Sequence, residues 1–167
     1  FLGVIYARGD GVPQDFHKAF LWFERAAQQG DAEAQYNLGL AYIKGEGVAQ
    51  DFSQAIQWFE KAAEQGYAKA QGMLGVMYHR GDGVAQDLEK ALQWFKKAAE
   101  RGDSTAQFNL GLAYAQGDGV EQDLRGAAYW FEKAALQDDA EAQYNIGMLY
   151  YRGIGVPQDP IRAFQWF

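Results

Sequence analysis

Apolar residues recur along the chain with the spacing of amphipathic helices. Between Ala34 and Tyr42 they stand at positions i, i+4, i+7 and i+8, and the same spacing returns between Ala55 and Ala63. Spacing of this kind is typical of a helix that buries one side. The pattern predicts two amphipathic helices, which we call helix A and helix B, joined by a loop.

The two-helix pattern recurs every 36 residues, as the separation of Trp22 from Trp58 illustrates. Each of the five tryptophans is followed by phenylalanine, and glycine, tyrosine and aspartate recur with the same period. Self-similarity at a period of about 20 to 50 residues indicates stacked structural repeats. We therefore predict one solenoid domain over residues 1–167. Its complete repeats are 31–66, 67–102 and 103–138, and its partial repeats are 1–30 and 139–167.

Polar residues mark the predicted helix ends. An aspartate precedes helix A in three copies, Asp31, Asp103 and Asp139, and every helix B, as Asp51 does. Its carboxylate can accept hydrogen bonds from backbone N–H groups that the first turn leaves free. Glycine, which readily adopts positive φ, ends helix B at positions 30, 66 and 102. The fourth copy has Asp138 instead, so we expect that turn to differ.

Glycines also stand in the A–B loop and in the middle of helix A. The loop reads Gly-Glu-Gly-Val-Ala-Gln-Asp from Gly45, and Val48 is expected to plug the core beneath it. Gly39 occupies a helix interior, where glycine costs about 1 kcal/mol relative to alanine. Packing must offset this cost. We predict that the side chain of Trp58 lies flat against Gly39, at the border with the adjacent repeat.

The combined pattern resembles the Sel-1-like repeat (SLR) family of helical solenoids. Residues 32–63 contain A-x-A-Q-x-x-L-G-x-x-Y, then G-x-G-V-x-Q-D, then A-x-x-W-F-x-x-A-A, and the resemblance covers the whole chain. It implies an all-α fold, a right-handed superhelical solenoid of antiparallel helix pairs. It also implies an adaptor role in complex assembly, signalling, or the bacterial cell envelope and host interaction. A bacterial periplasmic or secreted location is implied by the family alone.

Composition narrows the choice of partners. The chain has 22 Asp+Glu against 15 Lys+Arg and a net charge of -7, which disfavours nucleic acid because polyanion affinity depends on Lys and Arg. No apolar run approaches the roughly 20 residues that cross a bilayer. Zero Cys leaves no disulfide or thiolate chemistry. We expect a protein or peptide partner and no membrane insertion.

Catalytic and ligand-binding motifs are sparse. His17 and His79 stand at different positions of the repeat, and the acidic pair at 138–139 suits helix capping better than acid–base work. The glycine-rich loops lack the preceding strand and following Lys-Ser/Thr of a phosphate loop, and their acids miss the EF-hand register. We predict no enzymatic activity, no cofactor and no metal.

Helix A carries a second apolar face, on the side opposite Leu38. In superhelical helix pairs helix A lines the concave side, so this face would form a groove for a peptide or a partner helix. The predicted partner-binding residues are Tyr36, Asn37, Leu40, His79, Arg80, Phe108, Asn109, Leu112, Tyr144, Asn145, Met148 and Tyr151. The anchors among them are Tyr36, Phe108, Tyr144 and Tyr151. The orienting hydrogen-bond donors are Asn37, Asn109, Asn145 and Arg80.

A structural reading of the same face stays open. Its side chains would pack against helix A of the next repeat, and its asparagines would bond from helix to helix.

Three functions stay open, of which a protein-interaction scaffold is favoured. A binder or hydrolase of cell-wall-type small molecules is suggested by cysteine-rich relatives linked to β-lactam binding, a parallel that the absence of Cys weakens. The third is a structural spacer. Because the terminal repeats are partial, we expect a piece of a longer protein whose ends could associate end to end.

Overall fold

The structure, a computed structural model, describes residues 2–167, and within that range it contains ten helices and no strand. The odd-numbered helices are the A helices and the even-numbered ones the B helices. Their bounds are α1 (Leu2–Arg8), α2 (Phe16–Gln28), α3 (Ala32–Lys44), α4 (Phe52–Glu64), α5 (Ala68–Arg80), α6 (Leu88–Glu100), α7 (Ser104–Gln116), α8 (Leu124–Ala135), α9 (Ala140–Arg152) and α10 (Pro160–Trp166). The prediction of an all-α fold with two helices per repeat is confirmed.

The helices form two compact units, the first ending at Ala85 and the second beginning at Gln86. In the first unit each helix from α1 to α5 packs on the next in sequence. In the second unit the same holds from α6 to α10. The A helices α3, α7 and α9 are therefore each held by the B helix of their own repeat and by the B helix before it.

Aspartate side chains cap the helices as predicted. The Oδ1 atom of Asp31 accepts from the backbone N–H of Ala34 at 2.7 Å, and that of Asp51 accepts from Gln54 at 3.0 Å. The backbone N–H of Lys18, and then its side chain, hold the pKa of Asp15 below its usual range. The start of α5 differs, because its N-cap is Tyr67 and makes no side-chain cap bond.

A phenylalanine, not a tryptophan, fills the notch at the central glycine of helix A. A Cβ atom added at Gly39 would lie 2.6 Å from Cε1 of Phe59, whose side chain is fully buried. The prediction that Trp58 covers Gly39 is wrong. Successive residues on a helix point about 100° apart, so Trp58 instead packs on the cluster around Phe20 and Leu38. The same notch recurs as Gly3 with Phe23, Gly111 with Phe131, and Gly147 with Phe167.

The A–B loop of one repeat rests on the B helix of the repeat before it. Gly45 and Gly47 have φ of 71° and 78°, in the left-handed region, where glycine pays no steric cost. A Cβ atom at Gly47 would overlap the backbone carbonyl of Phe16, the first residue of α2. Val48 packs on the core beneath the loop, as predicted. The second loop glycine thus serves both the turn and the joint between repeats.

Buried glutamines join consecutive repeats, a role that the sequence analysis did not assign. Gln35 is 5% exposed, and its Nε2 donates to the carbonyl of Ala27 at 3.2 Å. That carbonyl lies in the last turn of α2, where it also accepts from the backbone N–H of Gly30 at 3.1 Å. The Nε2 of Gln65 donates to Oε1 of Gln35 at 2.8 Å, so one side chain links α2, α3 and the end of α4. Equivalent bonds join Gln71 to Ala63, Gln107 to Ala99, and Gln143 to Ala135.

The turn after α8 keeps its left-handed residue although no glycine is present. Asp138 has φ of 62°, close to the 82° of Gly66. The turn differs as expected in where it starts, since α8 ends at Ala135 with Leu136 as its C-cap, one residue earlier in the repeat than α4. The backbone at position 138 nevertheless has the left-handed conformation of the other repeats. A residue with a Cβ atom pays a steric cost there that glycine does not.

Substitution Gly39→Ala tests the notch. The added Cβ would overlap the Phe59 ring, so we expect a loss of about 1 to 3 kcal/mol in the free energy of unfolding, despite the better helix propensity of alanine. Urea unfolding followed by circular dichroism measures it. The double variant Gly39→Ala/Phe59→Leu should lose less than the sum of the two single variants. A Gly39→Ala protein as stable as the parent would refute the steric account.

Substitution Asp138→Gly tests the strained turn. Removing the Cβ atom at φ 62° should stabilise the protein by about 0.5 to 1 kcal/mol, read as a higher urea midpoint. Asp138→Ala is the matched control, since it removes the same carboxylate but keeps the Cβ atom, and it should give no gain. Equal gains from both variants would assign the effect to charge instead of backbone conformation.

Candidate functional site

In the first unit the helix-A face contains a cleft of about 460 Å³ between α1 and α3. We call it the α1–α3 cleft. Val4, Ala7 and Arg8 of α1 line it opposite Tyr36 and Leu40 of α3. Residues of α2, including Phe16 and Phe20, also line it, so a B helix closes its floor. The arrangement follows from the packing, because each A helix rests on B helices.

Tyr36 is held in place by two aromatic neighbours. Its ring centroid lies 5.7 Å from that of Phe59, the residue that fills the glycine notch. It lies 5.4 Å from the ring centroid of Tyr67, the N-cap residue of α5. Separations of this size are favourable for tilted aromatic pairs. Tyr36 is therefore a half-buried cleft residue that rests directly on the core.

The start of α5 supplies a neutral hydroxyl to the same cleft. Burial raises the pKa of Tyr67, and the carboxylates of Glu33 and Asp31 raise it further. Tyr67 therefore keeps its proton at neutral pH and can donate a hydrogen bond. Glu33 also lines the cleft.

Both signs of charge line the cleft. Arg8, Lys44 and Lys69 are the cations, and Glu33 and Glu46 are the anions. The Nζ atom of Lys44 lies 3.7 Å from Oε1 of Glu46, and both side chains are more than a third exposed, so water weakens this pair.

In the second unit α7 and α9 repeat the aromatic support. Phe108 lies 5.7 Å from Phe131, and Tyr144 lies 6.0 Å from Phe167, between ring centroids. Tyr144 and Tyr151 are 60% and 56% exposed. Phe108 and Leu112 are partly buried and pack on the core of this unit, whereas Met148 is half-buried on α9.

The asparagines of the second unit bond within their own helices. The Nδ2 of Asn109 donates to the carbonyl of Thr105 at 2.9 Å, and that of Asn145 donates to the carbonyl of Glu141 at 2.7 Å. The alternative of bonds from helix to helix is therefore wrong for these two residues. The amide of an asparagine is short enough to return to the carbonyl one turn earlier, which needs no second helix.

The structure brings together only part of the predicted set. Tyr36, Asn37 and Leu40 line one cleft. His79 and Arg80 close α5 in the same unit but lie outside the cleft lining, His79 half-buried and Arg80 exposed. The other predicted residues belong to α7 and α9, in the second unit: Phe108, Asn109, Leu112, Tyr144, Asn145, Met148 and Tyr151.

Several cleft residues were not predicted. Val4, Ala7 and Arg8 occupy the repeat positions of Leu40, Ile43 and Lys44, so the 36-residue period contained the signal for them. Tyr67 stands where other repeats have a capping aspartate, and that departure is the signal for its separate role.

Neither a metal cluster nor a membrane span is found in residues 2–167. No group of three or more His, Cys, Asp or Glu side chains in this range could hold a metal ion. None of the helices described there has the length and apolar content to cross a bilayer.

The sequence matches known repeats along its whole length. The Sel1 repeat family model matches residues 1–31, 32–67, 68–103, 104–139 and 140–167. The last four segments begin one residue later than the repeats predicted from the sequence. No curated protein is a significant match to the chain.

Two solved structures match nearly the whole chain. A protective antigen present in uropathogenic Escherichia coli strains, displaying an SLR fold, is 44% identical over 99% of this chain, with a TM-score of 0.93. A Sel1 repeat protein from Oxalobacter formigenes is 40% identical over 99% of this chain, with a TM-score of 0.90. The chain spans 35% and 66% of the lengths of these two proteins.

A more distant structure is cysteine rich protein B of Helicobacter pylori. It is 26% identical over 77% of this chain and 92% of its own length, with a TM-score of 0.62. Together with the ten helices described here, these likenesses confirm the prediction of an all-α solenoid of the SLR type.

Sel1 repeat proteins are generally protein-interaction scaffolds. With the family model matching five consecutive segments and two structures matching at 40% identity or more, this chain belongs to the Sel1 repeat family.

Proposed function

We propose that this chain is a protein-interaction scaffold that holds a peptide or a helix of a partner protein on its helix-A face. The observation that carries the proposal is the α1–α3 cleft, about 460 Å³ in volume, in which Tyr36 is supported by core aromatic residues. The general role of Sel1 repeat proteins agrees with it.

The cleft has the properties of a site for an anchor side chain. Its walls are aliphatic, with Val4 and Leu40 on opposite helices, and its polar groups include Asn37 and Tyr67. The side chain of Tyr36 loses little further conformational freedom when a ligand binds, since the rings of Phe59 and Tyr67 already hold it. Interfaces draw most of their affinity from a few aromatic residues held in this way.

The second unit offers a matching surface of its own. Tyr144 and Tyr151 expose more than half of their surface on α9, and Tyr144 rests on Phe167. We propose these tyrosines, with Phe108, as further anchors for the same class of partner. Asn109, Asn145, Leu112 and Met148 would border them.

End-to-end self-association is a second candidate, because α10 and the residue that follows it expose large apolar side chains. Ile161, Phe164 and Phe167 are 76%, 81% and 63% exposed. The counterpart of Phe164 one repeat earlier, Ala128, is 4% exposed. Light scattering over a range of protein concentrations tests this role, and a constant monomer mass would reject it.

Selection of peptides tests the scaffold function. Random dodecapeptides displayed on phage are selected on the immobilised protein, and the affinities of the enriched peptides are measured by fluorescence polarisation. For peptides bound in the first unit, Tyr36→Ala/Leu40→Ala should weaken binding at least about tenfold, because it removes the apolar anchor surface. For peptides bound in the second unit, Phe108→Ala/Tyr144→Ala should have the same effect.

The control variant is Leu21→Ala/Gln57→Ala, on exposed positions of the B helices. It should leave the affinity unchanged. Circular dichroism and the urea midpoint establish that each variant is folded at the temperature of the measurement. Enriched peptides that bind both anchor variants as tightly as the parent, or the absence of any enrichment, would contradict the proposal.

A further inference from the structure

We propose that the partner segment held in the α1–α3 cleft is acidic, with a carboxylate bound at Arg8 and an adjacent aliphatic side chain packed between Val4 and Leu40. This inference rests on the proposed scaffold function and specifies the chemistry of its ligand. It is carried by a row of cations that closes the A helices of the first unit.

The row consists of Arg8, Lys44 and Arg80, the last residues of α1, α3 and α5. We call it the basic rim. The negative end of each helix favours a cation at this position, which explains why the cations are stable there. The helix end itself, however, provides no carboxylate that could pair with the cation. Among the described residues Lys44 pairs with Glu46, whereas Arg8 and Arg80 form no ion pair.

The lining of the α1–α3 cleft carries one more cation than anion, although the chain as a whole is acidic. The whole protein has 22 Asp+Glu against 15 Lys+Arg. The cleft is lined by three cations, Arg8, Lys44 and Lys69, and two anions, Glu33 and Glu46. Asp10 and Asp31 line the neighbouring cavity on the other side of Arg8 and do not line the cleft. Charges act over a screening length of about 8 Å at physiological salt, so a ligand in the cleft responds to the local groups more than to the net charge. The cations that line the cleft, among them Arg8 and Lys44 of the basic rim, therefore favour an anionic group on the ligand.

A carboxylate suits this position better than a phosphate backbone. A guanidinium presents parallel N–H donors that match one carboxylate in a bidentate pair. Nucleic acid would bring a dense row of phosphates against Glu33, Glu46 and the net charge of -7. A protein segment places single carboxylates beside apolar side chains, which agrees with a cation next to the aliphatic wall of Val4 and Leu40.

The second unit has a weaker rim. Its A helices α7 and α9 end in Gln116 and Arg152, so only one of the two positions is a cation. We therefore assign the preference for acidic segments to the first unit. Peptides that bind the first unit should accordingly be more acidic than peptides that bind the second.

The peptide selection described above tests this inference when it is repeated with rim variants. Peptides that depend on Tyr36 and Leu40 should be enriched in Asp and Glu next to Leu, Ile or Val. Arg8→Gln/Arg80→Gln should weaken their binding about fivefold, in keeping with partly exposed ion pairs. Arg25→Gln/Lys61→Gln, on exposed positions of α2 and α4, removes the same charge from the B helices and should have little effect.

Ionic strength and a synthetic pair of peptides complete the test. Raising the salt from about 0.1 M to about 1 M shortens the screening length from about 10 Å to about 3 Å. The affinity of the parent protein for the acidic peptides should therefore fall more than the affinity of the Arg8→Gln/Arg80→Gln variant. Replacing Glu by Gln in the tightest selected peptide should reproduce the loss caused by the rim variant.

The outcomes separate this inference from the scaffold function. Peptides that require Tyr36 and Leu40 but show no acidic enrichment, or bind Arg8→Gln/Arg80→Gln as tightly as the parent, would overturn the acidic ligand and leave the scaffold in place. Equal losses from the rim variant and from Arg25→Gln/Lys61→Gln would assign the effect to net charge, which also overturns it. If every selected peptide is insensitive to Tyr36→Ala/Leu40→Ala, the acidic ligand is overturned. If all peptides are also insensitive to Phe108→Ala/Tyr144→Ala, the scaffold function is overturned with it.

Discussion

The contact between a helix-A glycine and a helix-B phenylalanine governs the geometry of each repeat in which it occurs. Because Gly39 has no Cβ atom, the ring of Phe59 approaches the backbone of α3 and is fully buried there. The two helices of the repeat are thereby held at a close distance. Tyr36 lies against the same ring, with 5.7 Å between the two ring centroids. A backbone glycine in the core thus positions an aromatic side chain in the cleft.

Polar contacts between repeats hold the walls of the cleft. Gln35 bonds the last turn of α2 to α3, and the Gly47 loop rests on the first turn of α2. These two contacts secure both ends of the B helix that forms the floor. In repeat proteins stability is a sum of repeat and neighbour terms, so the joints decide how firmly α1 and α3 face each other. A cleft with fixed walls spends less free energy on ordering when a ligand binds.

The charge of the molecule and the charge of its candidate site have different origins. Acidic residues are required repeatedly at helix starts, where Asp31 and Asp51 accept backbone hydrogen bonds. Much of the acidic excess therefore serves the fold. Cations such as Arg8 and Lys44 close the A helices, at the rim of the cleft. In α3 and α9 helix polarity thus places an acidic residue in the first turn and a basic residue in the last turn.

The sequence by itself determined the repeat, the two helices in each repeat, their aspartate caps and the Val48 plug. These features depend on residues a few positions apart, through the helical period and bonds within one turn. Only the tertiary structure decided that Phe59 and not Trp58 enters the glycine notch, that Asn109 and Asn145 bond within their own helices, and that α2 closes a cleft between α1 and α3. Each of these depends on how far a helix is rotated and shifted against its neighbours. That rotation is set by the summed packing of side chains distant in sequence, which no single repeat contains.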